Sequence, residues 1–254
     1  MNKKAIGMFD SGCGGLTVLK EYMKLMPNEN FIYFGDTAHL PYGDKSPEKI
    51  IEYCEEIVKF LISKDVKMII IACGTASATA YEHLKNKYDI EIRNIITPTA
   101  STLTDKNIGV IATKATIKSD AWKKAIHSFN STANIISVAC PLFVPIIEEC
   151  LSENEGTPYF IKEYISKLSI ESTSISSIVL GCTHYPLLKK QIQNEVGTNI
   201  KLIDIGEISA KDSLNYLITN NLQNSPEHIG TIELFASDDF ESFKENAKKI
   251  GFKI

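Results

Sequence analysis

Two cysteines end apolar runs of the same layout, and a threonine follows each of them closely. Cys73 ends Ile-Ile-Ile-Ala-Cys and precedes Gly-Thr, whereas Cys182 ends Ile-Val-Leu-Gly-Cys and precedes Thr-His. Such a run is typical of a buried strand, with polar residues where the strand meets the next loop. A thiolate acts as a nucleophile or a base, and an ordinary thiol pKa of about 8.5 needs only a modest decrease to give thiolate at neutral pH. The pattern predicts two thiols at the carboxyl ends of two strands, facing one cleft.

Three classes of function are compatible with this pattern. An enzyme that inverts a carbon acid needs two bases on opposite faces of the reacting carbon, one to accept the proton and one to donate it. A Cys–His hydrolase needs Cys182 and His184 but leaves Cys73 unexplained. A non-catalytic small-ligand protein of two α/β lobes has no need of matched thiols. The pattern therefore favours the two-base enzyme.

A glycine-rich turn, residues 12–15, follows the first predicted strand and the pair Asp10-Ser11. Glycines at a strand-to-helix turn let a ligand approach the backbone, and the N-terminus of the next helix favours an anion. The phosphate-binding P-loop requires Gly-Lys-Ser/Thr after its last glycine, and the dinucleotide pattern GxGxxG is not matched either. A carboxylate is therefore the expected anion, with Asp10 available for an ammonium group.

The strand and helix pattern repeats along the chain. Residues 108–113 resemble residues 6–11, residues 137–140 resemble 32–35, and the Cys182 strand lies 109 residues after the Cys73 strand. Strands that alternate with helices through short turns indicate parallel sheets, whose ligands lie at the carboxyl ends of the strands. We therefore predict an α/β fold of two pseudo-symmetric lobes. Each lobe is a mainly parallel sheet flanked by helices, and the active site lies in the cleft between them.

Composition and charge limit the possible partners and location. The chain has 254 residues and a net charge of -4, which gives no electrostatic case for binding nucleic acid or an anionic membrane. No apolar run approaches the roughly 20 residues of a membrane span. The first apolar segment is too short for a signal peptide, so we expect a cytoplasmic protein. The six cysteines show no CxxC pair, and we expect most of them to be reduced.

Six short blocks of sequence carry a resemblance to a known family. They are residues 9–19 (FDSGCGGLTVL), 35–38 (GDTA), 41–43 (PYG), 115–119 (ATIKS), 140–145 (CPLFVP) and 181–188 (GCTHYPLL). Together these blocks resemble glutamate racemase. The resemblance implies cofactor-independent interconversion of L- and D-glutamate, which supplies D-glutamate for peptidoglycan. It implies neither a metal nor pyridoxal phosphate, and it implies a homodimer. Positioning and electrostatics alone must then acidify the α-hydrogen.

The resemblance also implies lobe boundaries and site residues. The first lobe would comprise residues 1–96 and 207–254, and the second 97–206. Cys73 would act on the D-enantiomer and Cys182 on the L-enantiomer. The implied assisting groups are Asp10, His184 and Glu148, with Glu149 as the neighbouring candidate for the last. The implied substrate contacts are Asp10, Ser11, Tyr42, Gly43, Gly74, Thr75, Thr116, Thr183 and His184.

Two positions depart from the family pattern. Gly74 stands where the family has Asn after the first catalytic cysteine, so a side-chain amide toward the substrate is missing. A lost hydrogen bond to a charged group costs about 1.5–3 kcal/mol, which predicts weaker binding or slower turnover. The alternatives are an altered choice among acidic amino acids and a water that fills the gap. Cys13 stands where the family often has Val or another small residue, and we interpret it as structural. Four further histidines have no neighbouring chemistry and are predicted to lie at the surface: His39, His83, His127 and His228.

Overall fold

The computed structural model describes residues 3–171, 174–249 and 251–252. The strands are β1 (Ile6–Asp10), β2 (Phe31–Gly35), β3 (Met68–Ile71), β4 (Ile92–Asn94), β5 (Asn107–Ala112), β6 (Asn134–Ala139), β7 (Ser177–Leu180), β8 (Lys201–Ile203) and β9 (Ile232–Ala236). The helices are α1 (Leu16–Leu25), α2 (Pro47–Ser63), α3 (Gly74–Thr79), α4 (Tyr81–Lys87), α5 (Ile96–Ser101), α6 (Lys114–Lys118), α7 (Ala121–Phe129), α8 (Phe143–Glu148), α9 (Thr157–Glu171), α10 (Lys189–Val196), α11 (Ile205–Thr219) and α12 (Phe240–Lys249). Short 3₁₀ turns occupy Thr37–His39, Tyr42–Asp44 and Tyr185–Leu188.

Two sheets form the framework, and every strand pair in them is parallel. The first has the order β4-β3-β1-β2-β9 and the second β6-β5-β7-β8. Written in reverse, the second sheet is β8-β7-β5-β6, which matches β4-β3-β1-β2 strand for strand. The predicted α/β fold of two similar lobes with parallel sheets is therefore confirmed, whereas the lobe boundaries at 1–96, 97–206 and 207–254 stay a prediction.

The central strands are continuous apolar runs because helices cover both faces of each sheet. All residues of β1, β3 and β7 are buried, and each of these strands lies inside its sheet. Full burial of one Val, Leu or Ile side chain stabilises the fold by about 1.5–3 kcal/mol. This layer of buried strands fixes where each carboxyl end emerges.

Register then places the loops that carry the chemistry side by side. Phe9 pairs with Ile71 and Ile111 pairs with Leu180, so the two loops that leave each pair start at the same level of the sheet. Cys73 and Cys182 each follow two residues after those ends. The two cysteines therefore occupy equivalent places in the two lobes.

Two helical stretches are interrupted. The stretch after Cys73 breaks at Ala80 into α3 and α4. The stretch after Thr113 breaks at Asp120, which has a left-handed φ of 57° and separates α6 from α7. Aspartate tolerates this conformation better than most residues because its short side chain bonds locally. Each break turns the chain between two packed helices.

The C-terminal segment returns to the first sheet, where β9 pairs with β2. A buried ion pair between Lys67 and Glu29 fastens this return, since the Lys67 ammonium also donates to the Leu222 carbonyl at 2.8 Å. The Asn224 backbone N–H donates to the second carboxylate oxygen of Glu29 at 2.8 Å. Among the described residues, no helix has the length and apolar character needed to cross a membrane.

Candidate active site

Both predicted catalytic cysteines line one cavity between the carboxyl ends of the two sheets. Cys73 and Cys182 reach it from opposite lobes, and they are 5% and 6% exposed. The predicted residues that line the cavity are Ser11, Tyr42, Gly43, Cys73, Gly74, Thr75, Cys182, Thr183 and His184. Three further predicted residues, Asp10, Thr116 and Glu148, lie behind this wall and contact it through hydrogen bonds.

Cys73 occupies the N-cap position of α3. Its sulfur accepts a hydrogen bond from the Ala76 N–H at 3.4 Å and lies 3.8 Å from the Ser11 hydroxyl oxygen. Burial raises the pKa of Cys73, the charge of Asp10 raises it further, and the Ala76 hydrogen bond opposes both without outweighing them. The hydrogen bond at the helix N-terminus therefore does not bring the pKa of Cys73 down to its ordinary value.

Cys182 is linked to a buried acid–base pair. Its sulfur lies 3.8 Å from Nδ1 of His184, and Nε2 of His184 lies 2.5 Å from Oε1 of Glu148. Burial alone lowers the pKa of His184, but the contacts with Cys182 and Glu148 outweigh it and raise that pKa well above 6.5. Burial raises the pKa of Glu148, and the hydrogen bond and charge of His184 reverse this, so the pKa of Glu148 is lowered. The imidazole thus holds a proton between a sulfur and a carboxylate.

The neighbouring Glu149 is exposed, so the structure points Glu148, not Glu149, at the site. Cys13 is more than a small buried residue, because its thiol lies 3.4 Å from both carboxylate oxygens of Glu148. The thiol proton is available for this bond because burial and the Glu148 charge raise the pKa of Cys13. Cys13, Glu148 and His184 are also the described residues whose ligand atoms converge within 4.8 Å, as a metal site would require. Hydrogen bonds among these three side chains already explain why their ligand atoms lie close together.

The Asp10 carboxylate holds the glycine-rich turn, residues 12–15, by hydrogen bonds to its backbone. Its Oδ2 accepts hydrogen bonds from the backbone N–H groups of Gly12 and Gly15, each at 3.1 Å. The Thr183 hydroxyl donates to Oδ1 at 3.3 Å, which ties the turn to the second lobe. Burial raises the pKa of Asp10, and these bonds and His184 oppose the shift only in part. Asp10 holds the turn in place and does not itself line the cavity.

Three threonine hydroxyls join the lobes at the far wall. Thr75 lies 2.9 Å from Thr113, and Thr113 lies 2.9 Å from Thr116, oxygen to oxygen. Thr113 also N-caps α6. Sequence reasoning did not select Thr113, although the internal repeat contained the signal, since Thr113 occupies the place of Ser11 in the second lobe. Other lining residues that the sequence analysis missed are Pro41, Asp44, Lys114, Pro141, Val144 and Pro145.

Tyr42 is held by residues that were not predicted to matter. Its hydroxyl donates to Asp36 at 2.5 Å, and the ring of His39 lies 2.9 Å from the same carboxylate through Nδ1. The His39 ring stacks on Tyr53 with centroids 3.7 Å apart. The His39 side chain is 33% exposed, so it does lie partly at the surface, but the prediction that it has no neighbouring chemistry is wrong. This cluster fixes the loop whose next residue, Gly43, packs against the second lobe.

Gly74 lies against the backbone of the second lobe on the side where a Cβ atom would be. A Cβ atom built on Gly74 would lie 2.4 Å from the carbonyl oxygen of Gly181. The space in which an asparagine side chain would begin is filled by the backbone of the other lobe. Gly74 also lines the cavity, so the alternatives given for the missing amide, namely a weaker enzyme, an altered substrate choice or a water in the gap, stay predictions.

Comparisons with known proteins identify the family of this chain. The sequence profile of the Asp/Glu/Hydantoin racemase family matches residues 12–212. A glutamate racemase of Geobacter metallireducens is 43% identical over 239 residues, which cover 92% of this chain and 88% of that protein. A glutamate racemase of Lactococcus lactis is 41% identical over 257 residues, covering 98% and 92% of the two chains.

Solved structures show the same likeness. The glutamate racemase of Thermus thermophilus in complex with β-chloro-D-alanine superposes with a TM-score of 0.91 at 34% identity, covering 99% of this chain and 94% of that one. The glutamate racemase of Francisella tularensis in complex with D-glutamate gives a TM-score of 0.91 at 36% identity, covering 98% and 94%. The chain therefore belongs to the Asp/Glu/hydantoin racemase family, and to the glutamate racemases within it.

Proposed function

We propose that this protein interconverts L- and D-glutamate by a two-base mechanism in which Cys73 and Cys182 are the catalytic residues. The observation that carries the proposal is the pair of thiols, which reach one cavity from equivalent strand ends of two similar lobes. Inversion of a stereocentre needs a base on one face and an acid on the other. The D-glutamate complex of the Francisella tularensis relative supports the choice of substrate.

The two sulfurs have opposite roles in the L-to-D direction. The Cys182 sulfur takes the α-proton of L-glutamate while its C–H electron pair stays with the substrate, and the Cys73 thiol gives its proton to the opposite face. Burial and Asp10 raise the pKa of Cys73, so the free enzyme supplies this proton donor. His184, 3.8 Å from Cys182, exchanges a proton with that sulfur between turnovers. In the D-to-L direction the two sulfurs reverse their roles.

Substrate recognition follows from the lining of the cavity. Ser11, Thr75 and Thr183 offer hydroxyl groups, and Lys114 provides a positive charge at the mouth for a carboxylate. The cavity lies between the two lobes, and both catalytic cysteines are almost fully buried in it. A site that excludes water strengthens each electrostatic contact with the developing carbanion.

Circular dichroism of L-glutamate, D-glutamate and aspartate solutions tests the assignment. We expect glutamate to lose its optical activity, and Cys73→Ala and Cys182→Ala each to abolish the loss. Cys54→Ala is the matched control, since Cys54 is fully buried outside the cavity. Glutamate that stays optically unchanged contradicts the proposal. Racemisation of aspartate in place of glutamate would favour the second candidate, a racemase of another acidic amino acid.

The physiological setting belongs to the same proposal. We propose a cytoplasmic homodimer that supplies D-glutamate for peptidoglycan, with neither nucleic acid nor membrane as a partner. The net charge of -4 supports the exclusion of polyanionic partners. Analytical ultracentrifugation across a concentration series tests the dimer, and a single sedimenting species of 28.2 kDa at all concentrations would contradict it.

A further inference from the structure

Gly74 brings the backbones of the two lobes into direct contact. The segment after Cys73 lies so close to Gly181 that a Cβ atom on Gly74 would meet the Gly181 carbonyl oxygen at 2.4 Å and the Cys182 Cα at 3.7 Å. Real Cβ atoms essentially never approach another heavy atom within 3.0 Å. A residue with a side chain therefore cannot occupy position 74 unless one of the two segments moves.

The backbone at Gly181 cannot easily move away from this contact. The Gly181 N–H donates to the Ile111 carbonyl at 2.8 Å, which continues the pairing of β7 with β5. Behind Gly181, a Cβ atom would meet the indole nitrogen of Trp122 at 2.8 Å and the Cβ of Ala112 at 3.2 Å. Trp122 is itself buried, so the backbone at position 181 is held between the sheet and the indole.

Relief of the contact must therefore come from the first lobe. Moving a Cβ atom from 2.4 Å to at least 3.0 Å from the Gly181 oxygen requires a displacement of about 0.6 Å. Cys73 immediately precedes the displaced residue, and Thr75, which follows it, would lose part of its 2.9 Å contact with Thr113. The displacement thus acts on the reacting sulfur and on the lobe contact together.

We infer that Gly74 is a positioning residue: because it lacks a side chain, the lobes meet closely enough to set the separation of the Cys73 and Cys182 sulfurs. The inference rests on the proposed function. Asparagine, which the family has at this position, would likewise have to displace the segment around Cys73 in this chain, so Gly74→Asn should not raise the rate.

Gly74→Ala and Gly74→Asn test the inference in the racemisation assay. A misplacement of about 1 Å can cost about 100-fold in rate, so we expect kcat to fall by about 10- to 100-fold in both variants. KM should change by less than about threefold, since the lost interaction belongs to the transition state. Gly230→Ala is the matched control, because its Cβ would meet the Glu29 carbonyl oxygen at 2.2 Å, far from the cavity. That variant should lose thermal stability and keep kcat.

A second-site variant separates geometry from instability. Trp122→Phe removes the indole nitrogen behind Gly181, so Gly74→Ala/Trp122→Phe should recover at least about threefold in kcat over Gly74→Ala. Wild-type kcat in Gly74→Ala or higher kcat in Gly74→Asn would overturn the inference and leave the proposed function standing. A Gly74→Ala protein that does not fold, even with Trp122→Phe, would also overturn the inference. The close contact at Gly74 would then be required for folding and not for setting the distance between the two sulfurs. An inactive wild type contradicts the proposed function instead.

Discussion

Replacing Glu148 by glutamine tests the link between the second lobe's thiol and its acid–base pair. The substitution keeps the size of the side chain but removes the negative charge 2.5 Å from Nε2 of His184. The pKa of His184 should fall, because one of the contacts that raise it is lost while the burial that lowers it remains. Proton exchange between His184 and Cys182 should become less favourable at neutral pH.

The magnitude follows from burial. The side chains of His184 and Glu148 are 3% and 14% exposed, so solvent replaces little of the lost interaction. A hydrogen bond between charged groups contributes about 1.5–3 kcal/mol, and 1.36 kcal/mol corresponds to tenfold in rate. We therefore expect kcat/KM to fall by about 10- to 200-fold. The fall must be equal in the two directions, since enantiomers have equal free energies and the equilibrium constant cannot change.

The assay is the pH dependence of kcat/KM for both enantiomers, with Glu149→Gln as the matched control. Glu149 is the adjacent, exposed carboxylate, and its variant should behave as wild type. The alkaline limb of the profile should move to lower pH in Glu148→Gln, because the imidazolium of His184 loses its proton more readily. A change of less than twofold, an unmoved alkaline limb, or an equal effect of Glu149→Gln would refute this reasoning.

The same pair predicts how stability depends on pH. The raised pKa of His184 adds stability that is fully present below its ordinary value of 6.5 and is lost as pH rises through the folded value. The lowered pKa of Glu148 adds stability that is present above its ordinary value of 4.5 and is lost as pH falls through the folded value. Urea unfolding of the wild type should therefore show a plateau between these limits, and Glu148→Gln should flatten both edges.

Three further substitutions have defined outcomes. Cys13→Val removes a thiol donor from the Glu148 carboxylate and should lower kcat/KM by less than about tenfold, since a thiol is only a weak hydrogen-bond donor. An unchanged value would make Cys13 a packing residue. Tyr42→Phe leaves the buried Asp36 carboxylate without its hydroxyl donor and should lower the free energy of unfolding in urea by about 1–3 kcal/mol. A urea midpoint equal to that of the wild type would contradict this expectation. Lys67→Met leaves the Glu29 carboxylate buried without its cation and should lower the free energy of unfolding in urea by about 3–5 kcal/mol. A decrease below about 1 kcal/mol would show that this ion pair does not hold the C-terminal segment on the first sheet.

Local pattern was enough to locate the thiols and the framework that carries them. Buried parallel strands need continuous apolar residues, so the runs before Cys73 and Cys182 were visible in the sequence, as was their recurrence in two lobes. The short strand β4 was not visible in this way, because it has only three residues, Ile92–Asn94, and two of them are polar. Pattern works where many residues share one environment.

The sequence by itself therefore determined the fold class, the two catalytic candidates and the family. Only the tertiary structure decided that Cys13 donates to Glu148, 135 residues away, and that Gly74 meets the Gly181 carbonyl. The physical reason is the range of the interactions. Strand and helix patterns follow from burial and from bonds between near neighbours, whereas these contacts depend on how closely two lobes pack, where a shift of about 1 Å changes which atoms touch.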